Sequence, residues 1–435
     1  MREPNLGQTL DPFSDRYAAR TRGLTVSEIR ALFAVASRPE VVSLAGGMPF
    51  TSALPFGAVG EMVSRLVRDR GPVAFQYGSG QGEIGLREAI CEVMALEGIS
   101  ASPEDVVVTV GSQQALDLIT RVFIDPGDVV IAEAPSYVGA LGTFAAYQAE
   151  VVHVTMDEDG LVPEALSETL AAVAARGKRV KFIYTVPTFH NPAGVTLSPA
   201  RRPEILRIAK EAGVLILEDN PYGLLGFDED PYRALRADDA ENVVYLGSFS
   251  KTFAPGLRVG WALAPHPVKE KLVLASEAAI LCPSNFTQAV IYDYLRTQPW
   301  LEQVKVFREL YRERRDATIG ALSQMMPAGT TWTQPRGGFY VWVGLPSGLD
   351  SKAMLPRAVT ARVAYVPGTG FYADGSGANS LRLSYCYPTP ERIVEGVRRL
   401  AGVLEEELEL RSTFGAPAAH HKPEDGVASP APDMA

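Results

Sequence analysis

Between residues 50 and 301 the chain alternates short β-rich runs with helix-like stretches, and this pattern restricts its fold more than any other feature. The runs are VVVTV at 106–110, VVIAE at 129–133, VVHVTM at 151–156, KFIYTV at 181–186, VLILED at 214–219 and NVVYLG at 242–247. Strands separated by helices cannot pair as hairpins and must be joined by crossovers, which predicts a three-layer α/β/α domain on a mostly parallel sheet. After Pro299 the pattern changes to a charged amphipathic helix at 301–325, two strand-like stretches, GGFYVWVGL and SLRLSY, and a final helix over 390–410. That mixture predicts a smaller α+β domain. Ahead of the alternation, LTVSEIRALFAV at 24–35 has helical spacing with Ser27 near its start, and VVSLAGGMP reads as a short strand running into glycines. The expected organisation is therefore an N-terminal segment, 1–49, that joins the small domain; a large domain, 50–301; a small domain, 302–411; and a tail, 412–435. The tail is rich in Ala, Pro and Ser without apolar periodicity and reads as disordered.

Composition narrows the partners. A chain of 435 residues, 46% apolar and 21% charged, is that of a soluble protein with two or three domains. Its formal net charge of −10 opposes a nucleic-acid partner, and the most basic stretch, 308–315, reads as a solvated helix face. Cys91, Cys282 and Cys386 lie far apart, and the five histidines form no ligand cluster, so neither a disulfide framework nor a metal site is expected. The first residues lack a secretory pattern and no apolar run approaches the ~20 residues of a membrane span. The expectation is a cytoplasmic protein.

The most specific chemical element is Ser248-Phe249-Ser250-Lys251, with Arg258 seven residues beyond the lysine. Burial disfavours the charge on a lysine just past a buried strand and moves it toward the neutral amine that attacks carbonyls. Taken alone, Lys251 reads rather as a surface loop residue. Upstream, Asp219 ends the strand VLILE, where a carboxylate could keep a pyridine nitrogen protonated, and Tyr222 follows as a phenol able to bond a ring oxygen. Helix capping and core packing are the ordinary alternatives for these two. Asn191, in an Asn-Pro pair, could donate to the same oxygen or simply make a turn. Ser112, in GSQQ after VVVTV, puts a hydroxyl and free N–H groups at a helix N-terminus, which suits phosphate or plain capping. Tyr137 could stack on a flat ring. Arg382, on a strand, needs an anion if buried, either a substrate carboxylate or a structural acid. Each alternative is common singly; all of them at once, in this order and spacing, is not.

Gathered along the chain, YGSGQGEIGLREA, GSQQALDL, APSYVGA, NPAG, EDNPYG, SFSKTFAPGLRVGW and LRLSY resemble the signature of class I/II aminotransferases, pyridoxal 5'-phosphate enzymes of fold type I. The resemblance spans about residues 24–410, and SLAGGMP, GSQQALD and SFSKTFAPGLRVGW are most similar to the 2-aminoadipate and kynurenine aminotransferase branch. It implies a transaminase that moves an amino group between an L-amino acid, with 2-aminoadipate, aromatic and branched-chain candidates, and a 2-oxo acid such as 2-oxoglutarate. It further implies that Lys251 carries the cofactor and shuttles the proton, that Asp219 pairs with the pyridine nitrogen, and that Tyr222 and Asn191 bond the 3-oxygen. By the same likeness Ser112, Gln113, Ser248, Ser250 and Arg258 hold the phosphate, Tyr137 covers the ring, and Arg382, Asn191 and Gly47 hold the α-carboxylate. Tyr77 would reach in from the partner of a two-fold homodimer. In that branch the helix at 24–35 can swing over the site and offer Arg30 to a distal carboxylate, whereas helical spacing alone points Arg30 to solvent.

Two other functions compete for these residues. A transcription regulator with an aminotransferase-like sensor domain would need a DNA-binding domain ahead of it, and about forty residues before SLAGG leave no room for one. A decarboxylase or lyase would use Lys251 as well, but Arg382 favours anchoring the α-carboxylate over expelling it.

Overall fold

The structure, a computed structural model, describes residues 11, 13, 15–23, 38–228 and 231–415. The helix expected at 24–35, Arg30 within it, and residues 416–435 of the tail lie outside the described residues. In chain order the strands are β1 (Val42–Ser43), β2 (Val106–Thr109), β3 (Val129–Ala134), β4 (Glu150–Asp157), β5 (Gly160–Leu161), β6 (Val180–Thr185), β7 (Leu215–Asp219), β8 (Val243–Ser248), β9 (Gly260–Leu263), β10 (Thr331–Trp332), β11 (Tyr340–Gly344), β12 (Val363–Ala364), β13 (Val366–Pro367) and β14 (Ser380–Ser384).

One sheet has the spatial order β2-β9-β8-β7-β6-β3-β4-β5 and contains all six β-rich runs. Its centre, β4-β3-β6-β7-β8, is parallel throughout. Successive residues of β3 enter different cores, as a pleat of period two requires. Val130 and Ala132 pack with Leu116, Ile119 and Phe144 of the helices Ser112–Phe123 and Val138–Ala146. Ile131 packs with Leu166 and Ile205 of the helices Pro163–Ala175 and Arg202–Glu211 on the opposite face. Helices therefore cover both faces, which is the α/β/α layering.

Strand β9 was not legible in the sequence. Its four residues, GWAL, have neither length nor alternation, and they form a strand only because β2 and β8 flank them, both antiparallel. This return matters for the site. Gly260 pairs with Ser248 on one side and Thr109 on the other, so residues 249–259 are held as a loop beside the exit of β2.

A second, antiparallel sheet, β10-β11-β14-β13, is covered by the helices Trp300–Met325 and Pro390–Phe414. Phe307, Leu322, Val343, Leu381, Val397 and Leu400 share its core. Strand β1 pairs with β12, and Ser384 donates its N–H to Leu44 at 2.7 Å, so residues 42–44 are attached on this side. The last helix departs from expectation by running through Phe414, into residues assigned to a disordered tail. Buried Val403 and Leu404 and a hydrogen bond from Arg411 to the Gly348 carbonyl extend its packing past 410. Among the described residues no helix is long and apolar enough to cross a membrane.

Candidate active site

Parallel strands β6, β7 and β8 end side by side, and ligands of open α/β sheets bind where such strand ends meet. Of the expected site residues that are described, all but Tyr77 line one cavity of about 280 Å³ at these ends. A larger cleft of about 700 Å³ lies behind Gly194, but it gathers no lysine, and its arginine, Arg336, is paired with Asp228 at 2.8 Å.

Lys251 donates from Nζ to the Gly47 carbonyl at 2.8 Å. Burial lowers its pKa to about 8; a smaller upward pull from Cys386 and the repulsion of Arg382 and Arg258 complete the balance. Asp219 ends β7 and is 3% exposed. Its Oδ2 accepts from the Tyr184 hydroxyl at 2.9 Å, while Oδ1 has no hydrogen-bond partner among the described residues. Burial raises its pKa to about 6 against the Tyr184 hydrogen bond. An orphaned, buried carboxylate oxygen of this kind lacks a cationic donor.

The opposite end of the cavity is built for an anion. The helix Ser112–Phe123 starts here after Gly111, whose φ of +73° is one that glycine adopts without strain. A Cβ at Gly260 would lie 2.6 Å from the Ser112 nitrogen, so glycine is what lets β9 pass this N-terminus. Ser248 and Ser250 place their hydroxyls 2.9 Å apart, and Arg258 donates to the carbonyls of Pro255 and Val110, at 3.2 and 3.4 Å. Gln113 makes side-chain bonds of its own. Its side-chain amide donates to Thr143 Oγ1 at 2.8 Å and Gly139 O at 3.2 Å, and its carbonyl accepts from the Tyr137 hydroxyl at 3.3 Å. The side chain thus braces Tyr137, and only the first-turn N–H of Gln113 is left for an anion.

Arg382 projects from β14 and is 1% exposed. It donates to Asn191 Oδ1 at 2.9 Å and Ala45 O at 2.7 Å and lies 4.2 Å above the Tyr340 ring, with Nε unpartnered. No described carboxylate pairs with it, so the structural salt bridge left open by the sequence is absent among the described residues. A buried guanidinium in that condition is suited to an anion from outside the described residues.

Tyr340 and Tyr184 were missed in the sequence. The Tyr340 hydroxyl stands 3.4 Å from that of Tyr222, and a Cβ at Gly47 would come within 2.0 Å of it, which accounts for the bare residue there. Both tyrosines sit in strands where an aromatic ordinarily means core, so no local signal marked them. Tyr77, 77% exposed, does not line this chain's cavity.

These groups fit pyridoxal phosphate: an amine near neutrality, an unpartnered carboxylate oxygen for a ring N–H, and hydroxyls, N–H groups and a guanidinium for a phosphate. Residues 45–400 match the family model described as aminotransferase class I and II. The chain is 41% identical over 403 residues to aromatic-amino-acid aminotransferase 1 of Thermococcus litoralis, covering 92% of this chain and 96% of that one. The crystal structure of a multiple substrate aminotransferase from Thermococcus profundus matches with TM-score 0.87 and 39% identity, covering 92% of this chain and 100% of the other. The alpha-aminoadipate aminotransferase of Thermus thermophilus, complexed with N-(5'-phosphopyridoxyl)-L-leucine, matches with TM-score 0.84 and 36% identity over 92% and 99% of the two chains.

Proposed function

The chain belongs to the class I and II aminotransferases, pyridoxal phosphate enzymes of fold type I, and from that premise we propose that it transfers the amino group of an aromatic, branched-chain or 2-aminoadipate-type L-amino acid to a 2-oxo acid such as 2-oxoglutarate. The observation that carries this reading is one cavity holding a buried lysine whose pKa is lowered to about 8 and, among the described residues, a carboxylate oxygen without a donor and a buried arginine without a carboxylate. When bound, the cofactor supplies an electron sink for negative charge developing at the substrate's α-carbon.

In our reading Asp219 Oδ1 holds the ring nitrogen protonated, and the pyridinium in turn draws the carboxyl below its cofactor-free value of about 6. Lys251 Nζ, with a pKa of about 8, populates both protonation states near neutral pH, which suits a group that removes the α-proton and returns it. Arg382 anchors the α-carboxylate through Nε and its remaining N–H groups, and Asn191, which fixes the guanidinium, keeps its own amide N–H groups for the ring oxygen or the substrate. Tyr222 and Tyr137, which line the cavity, would hold the cofactor's ring, Tyr222 through its hydroxyl. Ser112, Ser248, Ser250, Arg258 and the Gln113 N–H hold the phosphate. Arg30 is the candidate for a distal substrate carboxylate.

We take the active unit to be a two-fold homodimer. Phe56, Val73, Phe75, Leu281 and Tyr77 are all more than half exposed, apolar and aromatic surface of the kind that a second copy would cover. Tyr77 then serves the partner's phosphate end.

The test is to mix the purified holoenzyme with single amino acids, follow loss of the bound cofactor's visible absorbance, and add 2-oxo acids to restore it. No loss with any amino acid would refute the proposal.

A further inference from the structure

A second buried carboxyl lies beside the site, and the chemistry above does not use it. Glu97 follows the helix Ile84–Ala95, is 4% exposed and reaches under the loop that leaves β7. Its Oε1 accepts from Asn220 Nδ2 at 2.8 Å, and its Oε2 is 2.5 Å from the Tyr245 hydroxyl. Asn220 directly follows Asp219, and its Oδ1 has no hydrogen-bond partner among the described residues, so Glu97 anchors that amide from one side only. A Cβ at Gly223 would fall 1.6 Å from Glu97 Oε1, so the backbone there lies directly against the carboxyl. Glu97 therefore meets the 220–223 turn at both ends. Asp219, just before this turn, and Tyr222, within it, face the cavity, and their hydroxyl partners, Tyr184 and Tyr340, come from other strands.

We propose that Glu97 is a positioning residue for transamination: through Asn220 and Gly223 it fixes the turn that aims Asp219 and Tyr222 into the cavity. The inference rests on the roles assigned above to those two residues. Past Asp219 the chain has left the sheet ladder except for the bond from Asn220 N to Leu246 O at 2.9 Å, so side chains must set its course. Burial raises the pKa of Glu97 to about 8; the Tyr245 hydrogen bond opposes this, Glu218 adds to it, and Asn220 and Arg202 oppose it. Asn220 and Tyr245 both donate to this carboxyl, one to each oxygen. Glutamine keeps an acceptor oxygen for Asn220 and an amide beside the Tyr245 hydroxyl, which can turn to accept from it, whereas leucine supplies neither and strands two buried polar groups.

The experiment compares holoenzymes of the wild type, Glu97→Gln, Glu97→Leu, Asn220→Ala and the Glu97→Leu/Asn220→Ala pair. It reads the pH midpoint of the bound cofactor's visible absorbance, together with kcat and KM for one amino acid. Glu97→Leu and Asn220→Ala should each move the absorbance midpoint and lower kcat by about tenfold to a hundredfold, the loss that follows displacement of catalytic groups by about 1 Å, with KM little changed. Glu97→Gln should stay near the wild type, and the pair should be no worse than the worse single variant, because both act through one contact. An unchanged midpoint and kcat in Asn220→Ala, a loss in Glu97→Gln as large as in Glu97→Leu, or additive losses would each overturn the role. If Glu97→Leu does not fold, Asn220→Ala and Glu97→Gln decide by the same criteria. Failure of borohydride to fix cofactor on wild-type Lys251 would overturn the function itself and this role with it; normal fixation with indifferent variants overturns the role alone.

Discussion

Replacing Asp219 with asparagine isolates charge from shape. The amide still fills the end of β7 and can still accept from Tyr184, whose hydroxyl lies 2.9 Å from Oδ2. What disappears is the negative charge facing the ring nitrogen. A carboxylate and a pyridinium about 3 Å apart attract by about 5 kcal/mol at an effective dielectric constant of about 20. Part of that is offset by the burial that already raises the Asp219 pKa to about 6. If about 3 kcal/mol remains in the transition state, kcat falls by about 10² or slightly more, as for other preorganised charges. Single-turnover mixing of the Asp219→Asn holoenzyme with excess amino acid measures this directly. KM should stay within a few-fold, since Arg382 binds the carboxylate in both proteins. A variant with cofactor bound and a rate within about threefold of the wild type would refute the assignment of Asp219 to the ring nitrogen.

Lys251→Ala should retain cofactor non-covalently and lose turnover, with no protein-bound label after borohydride treatment. Arg382→Ala should lower kcat/KM for every amino acid, whatever its side chain, by about 2–5 kcal/mol of lost charge-assisted bonding; a loss confined to acidic substrates would assign Arg382 to the distal end. Arg30→Ala should weaken 2-aminoadipate or 2-oxoglutarate far more than leucine or phenylalanine, and equal losses in a kcat/KM panel would return Arg30 to solvent. For the full chain stripped of cofactor, burial raises Glu97 to about 8, Glu218 to about 7 and Asp219 to about 6. The folded state then binds more protons than the unfolded one, so the stability these groups contribute is full below about pH 4 and is lost as pH rises to about 8. Thermal melts across that range should show this decline, with Glu97→Gln flattening its upper part and Asp219→Asn its lower part; unaltered slopes in both would refute it.

The sequence by itself determined the layered α/β architecture and the chemical inventory of the site. Strand runs such as VVIAE and VLILED carry their own apolar signal, and Lys251, Asp219, Arg258 and Arg382 stand at fixed distances from glycines, prolines and strand ends that report local backbone geometry. Tertiary structure alone decided which groups are partnered. Strand β9 exists only between β2 and β8, Tyr184 reaches Asp219 across neighbouring strands, and Tyr340 arrives from the second sheet to stand over Gly47. That the side-chain amide of Gln113 turns to Thr143, thirty residues away, is likewise decided by the fold. Glu97 lies in ALEGI, a stretch with no chemical signature, and joins the site only because the fold carries the end of its helix beneath β7. Burial and hydrogen-bond completion depend on residues distant in the chain, and those are the quantities that set the pKa values of Lys251, Asp219 and Glu97.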